Sequence, residues 1–287
     1  MRLLRFAAGY LAIAAAVPYF VLKVIWLTGG TTGFNPDTPV SGEFDALNAA
    51  TFAMDAAAIA VALALTHGWG RHLPAPLVLF PMWVGTGFLA TIAIAVPISV
   101  VAAAVQGLSL LTADGGIVQP WVYAMVYAGF ITQGIALLTA FALYTRDRWP
   151  ILPHGEETSI QRLLATTGAV MAFGLGLAHL AWATNGEFYP RVMNTVFALL
   201  SMAGGAGILM MMRTRKSWTA LVLAWVGSAT NFSWGLWVTV NALMDSPLND
   251  NGNSALGLVS FARVLAGMLI GMVAATSLSR GSVKVEG

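Results

Sequence analysis

Residues 76–103 read PLVLFPMWVGTGFLATIAIAVPISVVAA, a run without a single charged side chain. A helix needs about 20 consecutive apolar residues to cross the hydrocarbon core of a bilayer, and this run is longer than that. Pro81 and Pro97 fall inside it, and bilayer helices tolerate proline as a kink. The stretch therefore predicts a long transmembrane helix that is tilted or broken.

Seven other stretches share this apolar character. The eight predicted spans cover residues 3–27, 45–66, 76–103, 119–145, 160–183, 191–212, 218–244 and 255–279. The chain of 287 residues is 58% hydrophobic and 9% charged, with a mean hydropathy of +0.77. A soluble domain carries roughly a quarter charged residues, because water must wet its surface. The predicted fold class is an all-α integral membrane protein with about eight transmembrane helices, and its first partner is the lipid bilayer.

The basic residues are distributed unevenly among the segments that connect these spans. Eleven of the 14 Lys and Arg residues lie in the N-terminal segment, the even-numbered loops and the C-terminal tail. The odd-numbered loops hold only Arg191. Because basic loops stay on the cytoplasmic side, both termini are predicted to be cytoplasmic and the number of spans even. The expected location is the cytoplasmic (inner or plasma) membrane.

Several classes of chemistry are excluded by what the chain lacks. It contains no cysteine, so disulfides, thiolate metal sites and a cysteine nucleophile are excluded. The motifs H-E-x-x-H, G-x-S-x-G and the phosphate-binding P-loop do not occur. No basic stripe indicates nucleic acid as a partner. We therefore expect no metal site, no cofactor and no nucleic acid.

Internal matches in the sequence indicate a duplication. Residues 26–30 at the end of the first span and 182–186 at the end of the fifth both read W-x-T-x-G. Residues 83–85 and 225–227, in spans three and seven, both read W-V-G. Spans four and eight align without gaps. Because order and span number agree in every case, the sequence favours two repeats of four helices each.

The predicted repeats are residues 1–148 and 158–287. An even number of spans returns each repeat in the same orientation, so the duplication is parallel. Parallel repeats occur among transporters, where binding sites lie between the halves. The alternative is that duplication only doubled a stable bundle.

Four Asp, Lys, Arg or His side chains lie at least four residues inside the ends of the predicted spans, and such residues usually pair with one another or line a wet cavity. They are Asp55, Arg263, Lys23 and His179. The repeat alignment places Lys23 opposite His179, Asp55 opposite Leu200 or Ser201, and Arg263 opposite Gly129. This asymmetry of charge favours one site over two.

Uncharged polar residues add two helical stripes. Asn48 and Thr51 share one face of the second span with Asp55, at the spacing i, i+3, i+7. The seventh span carries a longer stripe, which consists of Asn231, Trp234, Asn241 and Asp245.

Two interpretations of these residues remain open. In the first, they line a polar cavity open to the extracytoplasmic side, with Asp55 and Arg263 at its depth. An isolated Asp55 could then carry a proton. In the second, Asp55 and Arg263 form one structural ion pair. Lys23 then extends its amine to the membrane surface, and His179 is an ordinary interfacial residue.

The first interpretation predicts a transporter for a small solute or an ion. An alternative is a membrane-embedded enzyme acting on a lipid or prenyl substrate, with Asp55 and His179 as its acid and base. A third is a ligand-binding sensor, immunity protein or assembly partner. Gly267 and Gly271 form a G-x-x-x-G motif, which fits either a homo-oligomer face or packing within one bundle.

The predicted orientation can be tested by cysteine labelling, because the natural chain contains no cysteine. We expect a membrane-impermeant maleimide to label Thr31→Cys, in the first loop, on intact cells. We expect Thr158→Cys, in the fourth loop, to react only after the membrane is permeabilised. Labelling of both or neither on intact cells would contradict the topology, and the unmodified chain gives the background.

Overall fold

The computed structural model describes residues 1–36, 42–107, 117–149, 158–185, 188–213, 217–243 and 254–279. It contains eight long α-helices: α1 (Arg2–Leu27), α2 (Gly42–Thr66), α3 (Ala75–Val105), α4 (Pro120–Arg148), α5 (Ser159–Asn185), α6 (Phe188–Arg213), α7 (Trp218–Leu243) and α8 (Ser254–Ser279). The eight predicted spans fall on these helices one for one, and their ends differ by three residues at most. The all-helical class and the number of helices are confirmed.

Seven of the eight helices, all except α7, are long and apolar enough to cross a membrane, as expected of a multi-pass membrane protein. The helix α7 carries hydroxyl and amide side chains in its middle, at Ser228, Thr230, Asn231 and Ser233. Its residues 227–233 are all buried, so these side chains face protein and not lipid. The helix α3 continues unbroken through Pro81 and Pro97.

The described residues divide into two compact units. The first comprises Met1–Met82 and Ile92–Arg148, and within it α1 packs against α2 and α4. At the end of this unit where α1 begins, Arg5 forms an ion pair with Asp147 of α4, with 2.7 Å between Nη1 and Oδ2. Arg71 approaches the same carboxylate at 3.5 Å. One carboxylate thus ties the short connection after α2 to α1 and α4.

The second unit comprises Trp83–Thr91 and Trp149–Gly287. Within it, α5 packs against α6 and α8, and α7 packs against the same two helices, which closes a ring of four. Residues 83–91, the middle of α3, lie against α7. A methyl group on Gly87 would overlap the carbonyl of Ala229, so the two backbones approach closely there.

The contact between this middle part of α3 and α7 contains a reciprocal exchange of hydrogen bonds. The indole nitrogen of Trp83 donates to the hydroxyl of Ser228 at 2.9 Å, and that of Trp225 donates to the hydroxyl of Thr86 at 3.2 Å. Each tryptophan is three residues before the hydroxyl that serves the other one. The exchange therefore has the symmetry of a two-fold axis. Whether it descends from a duplication stays a prediction, as do the repeat limits 1–148 and 158–287.

Glycines allow the helices of the second unit to pack at short range. On α8, a methyl group on Gly267 would press on the backbone of α7, and one on Gly271 would press on the ring of Trp83. The G-x-x-x-G motif is therefore used inside the unit. On α6, Gly204 lies against Gly227 of α7, and a side chain on either would meet the backbone of the other helix.

Replacing one of these glycines should destabilise the fold. We expect Gly227→Ala to lower the free energy of unfolding by about 1–3 kcal/mol, the usual cost of overpacking. The matched control is Gly174→Ala on α5, because no atom lies within 4 Å of where its methyl group would be. The control should be neutral or stabilising by up to about 1 kcal/mol, because alanine is the better helix former. Thermal melting in detergent makes the comparison, and equal melting temperatures would contradict the packing.

Candidate functional site

The first unit contains a buried ion pair between α1 and α2. The ammonium nitrogen of Lys23 lies 2.7 Å from Oδ2 of Asp55. Lys23 is 1% exposed and Asp55 is 8% exposed. The pair joins two helices through opposite charges, so the centre is electrically neutral. Its neutrality lets both charges remain in a region where an isolated one would be costly.

Neighbouring groups hold Lys23 in place. Its ammonium lies 4.1 Å from the centre of the Tyr19 ring, one helical turn earlier on α1, in a cation–π contact. The amide of Asn48 donates to the backbone carbonyl of Lys23 at 3.4 Å. The hydroxyl of Thr51 donates to carbonyls of its own helix, α2.

An aromatic cluster lies next to this centre, at the C-terminal end of α1. Trp26, one turn after Lys23, stacks on Phe34 with 5.1 Å between ring centres, and Phe44 packs edge-on against both rings. The backbone amide of Gln119 donates to the carbonyl of Gly33 at 2.7 Å, which ties the segment after α1 to the one before α4. Gly33 has a φ of +83°, a conformation that favours glycine.

Two expectations about these residues change. Extension of Lys23 to the membrane surface is wrong, because its side chain is buried and its amine is held by a carboxylate. The alternative of an ion pair between Asp55 and Arg263 is likewise replaced. Asp55 pairs with Lys23, which is nearer along the chain and on the adjacent helix α1.

Arg263 lies on α8 in the second unit and is 3% exposed. Its Nη2 lies 3.5 Å from the carbonyl of Thr230, at the outer limit of a hydrogen bond. Its Cζ lies 4.2 Å from the centre of the Phe197 ring. Its Nε is buried and has no hydrogen-bond partner among the described residues. Within that part of the chain, no carboxylate forms an ion pair with this guanidinium.

His179 on α5 is a neighbour of Arg263 around the same aromatic ring. Its ring centre lies 5.3 Å from that of Phe197 and 5.3 Å from that of Trp182. Its Nδ1 donates to the amide oxygen of Asn194 at 2.8 Å. Its Nε2 is buried, and in the described part of the chain it has no partner. Among the described residues of the second unit, Nε of Arg263 and Nε2 of His179 are thus two buried nitrogens without a hydrogen-bond partner.

The polar stripe of α7 does not act as one group. The amide of Asn231 donates to the hydroxyl of Ser201 at 2.9 Å, and that hydroxyl donates to the carbonyl of Ala172 at 2.8 Å. This relay links α7, α6 and α5, so the amide of Asn231 is used in holding these helices together. Asn241 donates to a carbonyl of its own helix, while its Oδ1 is buried without a partner among the described residues. Asp245 lies outside the described residues.

The structure therefore places five of the eight predicted site residues in two centres. Lys23, Asp55 and Asn48 meet in the first unit, and Arg263 and His179 meet in the second. The remaining three are Thr51, Asn231 and Asn241, which bond to their own helix or to the relay.

Three contributing residues escaped the sequence analysis. Tyr19, four residues before Lys23, could have been found from the i, i+4 spacing on one helical face. Asn194 and Phe197 are three residues apart on α6, and an amide within an apolar span was the available signal. Aromatic residues are common in membrane helices, so nothing local distinguished Phe197.

The comparisons with known proteins bring no assignment. No protein-family model, no curated protein and no solved structure gives a significant match to this chain. In the part of the chain that the structure describes, no three His, Asp or Glu side chains converge as metal ligands would. The two polar centres are therefore the features of the described chain that bear on its function.

The role of the first centre can be tested with a double-mutant cycle. Lys23→Met or Asp55→Leu alone leaves a buried charge unpaired, and each should cost about 3–5 kcal/mol of stability. The double variant removes both charges and should recover most of that loss. Melting temperatures in detergent give the comparison. If the losses simply add in the double variant, the two side chains do not stabilise each other.

Proposed function

We propose that this protein is a membrane carrier that binds a small solute within its second unit, at Arg263. The observation that carries this proposal is a buried guanidinium whose Nε lacks a partner and which no carboxylate neutralises, within the described residues. In contrast, the other buried charges in the described helices are paired: Lys23 with Asp55, and Arg5 with Asp147. Among the buried charges of the described residues, Arg263 is thus the one that has both an unpartnered nitrogen and no counter-charge.

The position of Arg263 within a membrane helix has an energetic cost. An arginine in the middle of a membrane helix costs at least about 2.5–3.5 kcal/mol on insertion scales. A leucine or methionine could fill the same volume against Phe197 without that cost. A cation retained there without a fixed counter-charge is typical of a site whose counter-charge arrives from outside.

The proposed duplication supports a carrier. The reciprocal exchange between Trp83 and Trp225 is what two related W-x-x-[ST] segments would form across a two-fold axis. Parallel repeats related by an axis along the membrane normal recur among transporters. We further propose that both termini are cytoplasmic and that the chain resides in the cytoplasmic membrane, because the basic residues favour that orientation.

Transport can be tested by osmotic swelling of proteoliposomes against a panel of salts, sugars and organic acids. The natural chain should admit at least one class of solute faster than empty liposomes do. Arg263→Gln should reduce that rate by about tenfold or more, which corresponds to losing a charge-assisted hydrogen bond of roughly 1.5–3 kcal/mol. Swelling is read by stopped-flow light scattering.

The matched control is Arg162→Gln, the same chemical change at an exposed position on α5 of the same unit. Its rate should equal that of the natural chain at equal protein incorporation. If the natural chain and empty liposomes swell alike for the whole panel, transport is contradicted. A slowed Arg162→Gln would show that loss of any arginine, and not of this site, is responsible.

A further inference from the structure

We propose that the ligand bound at Arg263 is a monovalent carboxylate, held by the Nε–Nη2 edge of the guanidinium beside His179. This inference rests on the proposed function and names the chemical class of its solute. Arg263, His179 and Phe197 carry the argument, and they come from three helices that pack together, α8, α5 and α6.

The guanidinium presents one edge to a ligand. The N–H of Nε and one N–H of Nη2 point in the same direction, and this pair matches the two oxygens of a carboxylate. At Arg263, Nε has no partner among the described residues, and Nη2 has only the long contact to Thr230. Phe197 lies close enough to the guanidinium, 4.2 Å from Cζ, to fix its position. Within the described residues, the edge is therefore held in position and is bonded through the long contact of Nη2 to Thr230, while Nε is unbonded.

The charge balance selects a monoanion. The second unit presents one buried guanidinium at this point, and His179 is neutral when Nδ1 alone carries its hydrogen. A single negative charge neutralises the site. A divalent anion would bring an uncompensated buried charge, and a cation would be repelled. A halide carries the correct charge but offers one centre where the guanidinium edge presents two donors.

His179 adds a second point of recognition. Asn194 accepts the hydrogen bond from Nδ1, so Nε2, which has no partner among the described residues, is the nitrogen that can bond to a ligand. In the neutral ring Nε2 is an acceptor, which suits a hydroxyl or acid proton on the ligand. The two rings packed on His179, Phe197 and Trp182, give an apolar wall. A small organic acid can accept hydrogen bonds from the guanidinium, donate one to Nε2 and place its apolar part against the two rings.

Comparison of the two units supports the same assignment. In the repeat alignment, Lys23 corresponds to His179, and Asp55 corresponds to Leu200 or Ser201. The first unit thus supplies its own carboxylate beside its cation, with Lys23 bonded to Asp55 at 2.7 Å. Neither of the aligned residues in the second unit is acidic. Ser201, moreover, is already engaged in the hydrogen-bond relay. A carboxylate from solution would take the part that Asp55 has in the first unit.

Binding should be measured on the full-length protein in detergent, by thermal melting and isothermal titration calorimetry. The probes are sodium acetate and sodium benzoate, compared with sodium chloride and sodium sulfate at matched ionic strength. We expect either carboxylate to raise the melting temperature of the natural chain and of Arg162→Gln, and chloride and sulfate to leave both unchanged. Arg263→Gln should weaken carboxylate binding by at least about tenfold.

Arg263→Lys separates the shape of the donor from its charge. Lysine keeps a positive charge but lacks the two parallel N–H groups, so its carboxylate affinity should fall nearly as far as that of Arg263→Gln. Full affinity in the lysine variant would overturn bidentate recognition. Far-UV circular dichroism and a single gel-filtration peak confirm that each variant is folded. The selectivity of the natural chain among the four salts needs no variant and tests the proposal even if both variants fail to fold.

The outcomes distinguish this inference from the proposed function. Carboxylate binding without any solute flux would retain the site and overturn transport, which leaves a sensor or partner protein. Flux of an uncharged solute without carboxylate binding would retain transport and overturn the site. Equal stabilisation by chloride, or by sulfate, would overturn the carboxylate class. No effect of any of the four salts would overturn an anion site altogether.

Discussion

A helix that crosses hydrocarbon has no water with which to satisfy a polar side chain, so each such group must find a partner within the protein or in a ligand. This constraint organises the structure. The hydroxyl groups of Thr51 and Ser201 donate to helix carbonyls, and the indoles of Trp83 and Trp225 donate to hydroxyls on a facing helix. The need for a partner is greatest for charged groups, and the two units provide for their buried charges differently.

In the first unit the demand is met internally. Lys23 and Asp55 share a hydrogen bond of 2.7 Å, and Tyr19 contacts the ammonium from the same helix as Lys23. The aromatic cluster of Trp26, Phe34 and Phe44 keeps that end of the centre apolar. Such a neutral, covered pair is suited to join α1 to α2, and it leaves neither charge short of a partner. The structure thus pairs Asp55 with Lys23 and not with Arg263, while a cavity open to the extracytoplasmic side stays a prediction.

In the second unit, some buried polar groups have no partner among the described residues. The guanidinium of Arg263 contacts an aromatic ring and, at the limit of a hydrogen bond, one backbone carbonyl. Among the described residues, His179 has a hydrogen-bond partner at Nδ1 and none at Nε2. The ring of helices around α7 is otherwise closely packed, with glycines at its contacts and residues 227–233 of α7 buried. Within the described residues, this closely packed unit thus keeps one unpartnered donor, Nε of Arg263, and one unpartnered acceptor, Nε2 of His179, beside the same aromatic ring.

Much of the fold was predictable from sequence, because its determinants are local. The length of an apolar run fixes where a membrane helix begins and ends, and this explains why the eight helices follow their predicted limits within three residues. The stripe on α7 was also visible, as a helix whose polar residues could not all face lipid. The Trp-Val-Gly match pointed to α3 and α7, although not to the hydrogen bonds exchanged between them.

Sequence by itself determined which polar and charged residues lie within the membrane helices: Asp55, Lys23, His179 and Arg263 all stand out from apolar surroundings. Only the tertiary structure decided their partners. Lys23 and Asp55 are 32 residues apart and meet because α1 packs on α2, whereas Arg263 and His179 meet at Phe197 because α8 and α6 both pack on α5. Crossing a bilayer depends on the local content of apolar residues, but pairing depends on which helices become neighbours and how each is rotated, and no single stretch of sequence encodes that.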